Sequence, residues 1–502
     1  MQSRNLTHMI RLLLLLPICL FLTACGYFEE QERKKRDAFA DDLADLKAYF
    51  QIPGMAVMVL DDGEVIYEDY LGKADINGNI PVSSTTLFPV ASITKTFSAA
   101  LVLRLAEQDK LDLKNPVNRY LASPDLIDSI RIEHLLTHTS EGRVGEQFHY
   151  SNRYSLLTKV VEKATGKSFR EAMKDEIFHP LDLRYTFLLA SEEEGNAYKE
   201  IIATGYRYDG MLAKCPMDYG YSASAGLVTN LQDLAVFAEA LEGDSLLSKD
   251  SKKSLITPYQ EGFPYAKGLF TQTIDGERVL WAYGQYDCYS SLFVTVPDKD
   301  LTLILMANNN LMSDPARLIN GDLTSSLFAL SFLKNFIMGK QDAPILETDA
   351  SLTDLTPKGE FYRKKLVAQA MATTYMSRFD STRYGQSLTL LDKLFTHYPA
   401  VEEYASLNLI HALLFLNDVA GHYDKTYPER YNELVERASL AMLEKEPENP
   451  YVHIYLANYY DQEGDAARAR EHYTWLAKAT NFSDNWYMEE ANRWIGSHPA
   501  GN

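Results

Sequence analysis

The chain has 502 residues, 46% of them hydrophobic, and a formal net charge of −20. That length exceeds one ordinary domain, so two or three are expected. The acidic balance excludes nucleic acid as an expected partner, because phosphate binding needs clustered Lys and Arg.

In chain order, Arg4 and Arg11 accompany a short apolar run from Leu12 to Leu22. The run is about half the ~20 residues that a spanning helix needs, so residues 1–24 read as a signal peptide. Leu22-Thr23-Ala24-Cys25 resembles a bacterial lipobox. That resemblance implies cleavage before Cys25, lipid on Cys25, and, with Gly26 rather than Asp following, an outer-membrane anchor facing the periplasm. Residues 25–37, rich in Glu, Lys and Arg, read as a tether lifting the fold off the membrane. A helix is expected over 38–50 from the spacing of Phe39, Leu43, Leu46 and Phe50.

Met55 to Leu60, Asp61-Asp62-Gly63 and Glu64 to Tyr67 form a hairpin signature. A second pair of strands is expected within 291–309, turning at Pro297-Asp298-Lys299-Asp300. Strands at both ends with helical stretches between them predict one α/β domain over 38–338. Residues 339–358 read as a linker. From 359 to 502 the pattern is helical. Leu456, Ala457, Tyr460, Gly464-Asp465, Ala469 and Tyr473 match a tetratricopeptide repeat, with looser copies before it. A domain of this kind either caps the preceding domain or offers a groove to a peptide or protein partner. A periplasmic location permits a disulfide between Cys215 and Cys288, but, far apart in sequence, they read first as buried free thiols.

Ser92-Ile93-Thr94-Lys95 opens an apolar helix that runs through Leu105. The spacing puts Lys95 one turn beyond Ser92 on the same face. A serine hydroxyl needs an adjacent base to act as a nucleophile. A lysine becomes that base when burial and the positive helix end depress its pKa. The Ser92 N–H, at the helix start, is aimed toward a developing oxyanion. The competing reading is a Ser/Thr helix cap with a lysine in its first turn. Tyr150-Ser151-Asn152, just ahead of a second helix at 156–161, shifts the balance toward chemistry.

With these motifs in place, residues 40–335 resemble the group of class C β-lactamases, D-alanyl-D-alanine carboxypeptidases and related esterases. Phe88 to Lys95, Leu111-Asp112-Leu113, Leu135 to Ser140, Tyr150-Ser151-Asn152, and Ala225 to Thr229 occur in the group's order. The resemblance implies an antiparallel sheet flanked by helices with a helical subdomain. It also implies that Tyr150 shuttles a proton, its phenolate favoured by Lys95, and that Asn152 holds Lys95 and binds substrate. His138 is expected to serve the structural turn, and His149 has no partner that the sequence names. The group's third motif, Lys-Thr-Gly or His-x-Gly, corresponds to Ala282-Tyr283-Gly284, with the Gln285 N–H as second oxyanion donor. Ala282 in place of a cation argues against carboxylate-bearing substrates. Glu141 replaces the group's usual Gly, and the short 141–144 segment implies a reduced rim.

Together these features predict a serine hydrolase acting through an acyl-enzyme on Ser92, on ester, amide, peptide or β-lactam-type substrates. The rival is a catalytically retired domain that binds a cell-wall or peptide ligand. No cofactor or metal is expected, since the histidines lack ligand spacing and neither C-x-x-C nor a phosphate loop occurs.

Overall fold

The structure is a computed structural model that describes residues 29–123, 126–348, 359–479, 481–483 and 486–499. The signal segment 1–24 and Cys25 lie outside the described residues. Among the described residues no helix is long and apolar enough to cross a membrane.

The first helix, α1, covers 29–49 rather than starting at 38, so the expected tether is helical from 29 onward. Its charges support the helix. Lys34 pairs with Glu30 at 3.5 Å one turn earlier and Lys35 with Glu32 at 2.5 Å, the spacing that stabilises a helix surface. Seven antiparallel strands form the main sheet: β1 Gly54–Asp61, β2 Glu64–Asp75, β3 Ile80–Pro81, β4 Phe270–Ile274, β5 Glu277–Tyr286, β6 Tyr289–Val296 and β7 Leu301–Ala307. Their spatial order is β3-β2-β1-β7-β6-β5-β4. The β1–β2 turn puts Asp62 at φ 50° and Gly63 at φ 75°, the left-handed pair that a two-residue hairpin requires.

Side chains alternate across β1. Met55, Val57 and Val59 join one core layer with Phe39, Leu43 and Leu46 of α1. Ala56, Met58 and Leu60 join the other, with Phe97 and Leu101 of α2, which spans Thr94–Glu107. The central strands are therefore apolar on both faces, and the sheet lies between two helical layers. This is the expected architecture, an antiparallel sheet flanked by helices.

Beyond the sheet the described chain is helical. Helices Glu360–Ser377 and Arg383–His397, Leu407–His422 and Arg430–Lys445, and Pro450–Gln462 and Ala466–Lys478 follow in pairs, then Trp486–Ser497. Ala457 and Ala469 are fully buried where the third pair meets, as small residues at a close helix crossing must be. The described part of the expected linker is packed: Lys365 Nζ donates to the Pro344 carbonyl at 2.7 Å and the Glu347 N–H to Gln369 Oε1 at 2.7 Å.

The free-thiol expectation is corrected. Cys215 and Cys288 form a disulfide, with Cα atoms 6.4 Å apart. The Cys215 N–H donates to the Gly205 carbonyl at 3.0 Å across the base of the hairpin Tyr206–Tyr208/Leu212–Lys214, and that base packs on the β5–β6 turn, where the Tyr289 hydroxyl donates to the Ala203 carbonyl at 2.8 Å. That docking brings together two cysteines 73 positions apart in sequence.

Candidate active site

Phe88–Pro89 pairs with Leu227–Thr229, and the Val90 N–H donates to the Leu227 carbonyl at 2.9 Å. The chain then turns sharply into α2 through a 3₁₀ turn, Ala91–Ile93, with Ala91 at φ 45°. A non-glycine residue in that left-handed region is strained and persists only where its surroundings over-determine it. Here Thr94 Oγ1 donates to the Ala91 carbonyl at 2.6 Å and accepts the Leu227 N–H at 3.2 Å. The turn presents Ser92 at the N-terminal end of α2.

Lys95 is buried, 5% exposed, and its Nζ donates to Ser92 Oγ at 3.0 Å and to the Ser224 carbonyl at 3.1 Å. Nζ lies 5.0 Å from the centre of the Tyr150 ring. Desolvation by burial lowers the Lys95 pKa to about 7. Burial pushes the pKa of the Tyr150 phenol above the ordinary phenol value, and the neighbouring Ser92 side chain opposes that shift only in part. Burial thus works against the phenolate expected from the nearby lysine, and it likewise disfavours the charged form of Lys95.

Tyr150 stands in an aromatic box. Its ring stacks on His138 at 4.2 Å between centroids, with Phe270 at 5.8 Å and Tyr283 at 6.2 Å. The buried His138 accepts the Ser151 N–H on Nδ1 at 2.9 Å. Desolvation holds its pKa well below the ordinary value, so it is a neutral prop. His149 stacks on Tyr451 at 5.8 Å and meets the edge of Phe482 at 5.0 Å, partners in the helical part.

Asn152 does not hold Lys95 as expected. It is exposed at the start of the 3₁₀ helix Asn152–Leu156. The lysine is held instead by the Ser224 carbonyl, a backbone group that no side-chain signature reveals.

Gly284 of β5 lies against the Ser92 turn. A Cβ there would sit 2.0 Å from the Val90 carbonyl oxygen, so only glycine permits this approach. Ser291 Oγ also donates to Val90 O at 3.0 Å. The next residue, Gln285, sends its Nε2 to Asp314 Oδ1 at 2.7 Å. Ala282 is buried in the same apolar layer as Phe293 and Ile304.

Glu141 is fully buried. It accepts hydrogen bonds from Ser151 Oγ, from Ser483 Oγ, and from the Ser483 N–H at 2.8 Å. The rim expected to be reduced at 141–144 is thus met by residues 481–483 of the helical part. Sequence reasoning singled out Glu141 as a departure but could not find its partner.

A family model described as Beta-lactamase matches residues 39–324. Protein flp of Staphylococcus aureus (strain MW2) is 24% identical over 309 residues, covering 52% of this chain and 60% of that protein. Penicillin-binding protein 4* of Bacillus subtilis (strain 168) is 26% identical over 308 residues, covering 50% of this chain and 67% of that protein. The chain thus spans under two thirds of the length of the Staphylococcus relative. Among solved structures, the octameric penicillin-binding protein homologue from Pyrococcus abyssi aligns with a TM-score of 0.55 at 22% identity, over 66% of this chain and 80% of that one. At that identity the likeness is one of fold.

Proposed function

The chain belongs to the β-lactamase family, and from that premise we propose that it is a serine hydrolase forming an acyl-enzyme on Ser92. The observation that carries the reading is the 3.0 Å contact between Ser92 Oγ and a Lys95 amine whose pKa burial lowers to about 7. A neutral Lys95 takes the Ser92 proton as Oγ attacks the acyl carbon. The oxyanion is received by the N–H groups of Ser92 and Gln285. As the tetrahedral adduct collapses, Tyr150 gives its proton to the leaving group and regains one from Lys95. Water then enters by the reverse relay and frees Ser92.

Substrates are esters, amides or peptide fragments. Ala282 offers no cation on β5, so neutral acyl groups are favoured over carboxylate-bearing ones such as β-lactams. The experiment is labelling of the full chain with a neutral fluorophosphonate and with a fluorescent penicillin. Covalent label lost in Ser92→Ala, and faster with the fluorophosphonate, is expected. An unlabelled folded wild type would favour a retired binding domain.

The same reading puts the protein in the bacterial envelope, held to the outer membrane by lipid on Cys25. A Cys215–Cys288 disulfide supports an oxidising compartment. Cys25→Ser protein that stays in the membrane fraction after a high-salt wash would refute the anchor. The helical part is proposed as a surface for a peptide or protein partner.

A further inference from the structure

A buried carboxylate must have its acceptor sites filled or its cost is borne by the fold. Glu141 fills them from two distant parts of the chain. Ser151 Oγ belongs to the Tyr150 motif, and the Ser483 N–H and Oγ belong to the helical part. Its nearest cationic groups are His149 Nε2 at 3.8 Å, when protonated, and Arg153 Nε at 4.0 Å.

Ser151 is the hinge of this arrangement. Its N–H reaches His138, whose ring stacks on Tyr150, and its Oγ also accepts the Arg153 N–H at 2.9 Å. Around it the same two parts are clasped again. The Gly142 N–H donates to the Asn481 carbonyl at 2.8 Å, and Asn481 Nδ2 donates back to the Gly142 carbonyl. Arg153 Nη2 reaches Asn481 Oδ1 at 3.4 Å. Next to Gly284, Asp314 accepts from Gln285 Nε2 and from the hydroxyl of Tyr375, which lies on Glu360–Ser377. The helical part therefore braces both the segment bearing Tyr150 and the strand bearing Gln285.

We propose that Glu141 is a positioning residue that keeps Tyr150 aligned on Ser92 only while residues 481–483 are seated against it. Unseating Ser483 leaves Glu141 with the Ser151 hydroxyl as its close donor and with His149 at 3.8 Å and Arg153 at 4.0 Å, so the segment 141–153, which carries all three, shifts to satisfy it. Tyr150 shifts with Ser151. The catalytic half of this proposal rests on the hydrolase reading above, and the mechanical half on the contacts alone.

The test compares the full-length wild type with Ser483→Ala and with Asn481→Ala/Ser483→Ala. Two quantities are measured: hydrogen exchange at the 149, 151 and 153 amides, and the rate constant and half-saturation for fluorophosphonate labelling of Ser92. Exchange about tenfold faster is expected, with the labelling rate constant down about tenfold and half-saturation unchanged, as for loss of a charge-assisted contact. Glu141→Gln, which keeps the shape and loses the charge, should match the double variant. Unchanged exchange at those amides overturns the coupling and leaves the hydrolase reading intact. A lower melting temperature with an unchanged labelling rate constant reduces Glu141 to a stabilising residue and overturns its positioning role. A folded wild type that takes no label defeats the hydrolase reading and the catalytic half with it, and exchange then decides the mechanical half. If the double variant fails to fold, Ser483→Ala alone decides, because it keeps the Ser483 N–H bond to Glu141.

Discussion

Lys95 shows how far a single residue's chemistry was readable in advance. Ser92 and Lys95 lie three positions apart at a helix start, so their contact follows from helix geometry alone. Tyr150 came from the order of motifs. The Ser224 carbonyl and Ser483 were not readable, the first because it is backbone and the second because it lies 342 positions from Glu141. Burial of Lys95 also has a thermodynamic sign. Its folded pKa of about 7 lies below the ordinary lysine value of 10.5. The unfolded chain therefore binds more protons between those values, and stability rises with pH across that window. At pH 7 the buried amine costs at most about 5 kcal/mol, the free-energy equivalent of the shift. Lys95→Met, which fills the same space without a charge to bury, should raise the melting temperature at pH 7 while abolishing fluorophosphonate labelling. In the wild type, labelling should climb as pH rises through about 7, because only neutral Lys95 accepts a proton. A lower melting temperature for Lys95→Met at pH 7 would contradict the assignment of burial as the cause.

The strands were legible where turn chemistry is local. Asp62-Gly63 and Pro297 to Asp300 close hairpins whose left-handed residues the turns demand, Asp300 at φ 54° among them. The charged stretch before residue 38 misled because the same Glu and Lys that solubilise a tether also pair along a helix. The disulfide was illegible because it depends on a hairpin docking on the β5–β6 turn, three residues beyond Gln285. That placement gives it a mechanical task, since Cys215 precedes the segment whose Ser224 carbonyl holds Lys95. In the chain-entropy account, opening a loop of 73 residues costs about 4 kcal/mol. Reduction, or Cys215→Ser/Cys288→Ser, should lower the unfolding midpoint and slow Ser92 labelling. Thiol alkylation of the folded wild type should find Cys215 and Cys288 unreactive until a reductant is added. Ready alkylation without reductant would restore the free-thiol reading.

At the scale of the whole molecule, the β-lactamase-family part and the helical part share a core instead of meeting through a thin boundary. Helix Glu360–Ser377 has two apolar faces. Leu366 and Ala370 join the core of the helical part, whereas Ala368, Ala372 and Met376 join the layer formed by α1 and the sheet. Tyr49 of α1 is hydrogen-bonded to Thr373 Oγ1 at 2.6 Å, and Arg383 Nη2 donates to the Tyr49 carbonyl at 3.1 Å. A helix claimed by two cores cannot leave one without exposing the face it gives the other, so the two parts should unfold together. Met376 is 1% exposed, and truncating such a side chain to alanine costs about 2–5 kcal/mol. Met376→Ala should therefore lower one common transition. The check is hydrogen exchange read at the same time from β6 and from helix Pro450–Gln462, which should speed up by the same factor although only β6 shares a core layer with Met376. Acceleration confined to one of them would mean that the parts open independently, and the brace across the Ser92 cleft could then release without unfolding the sheet that carries it.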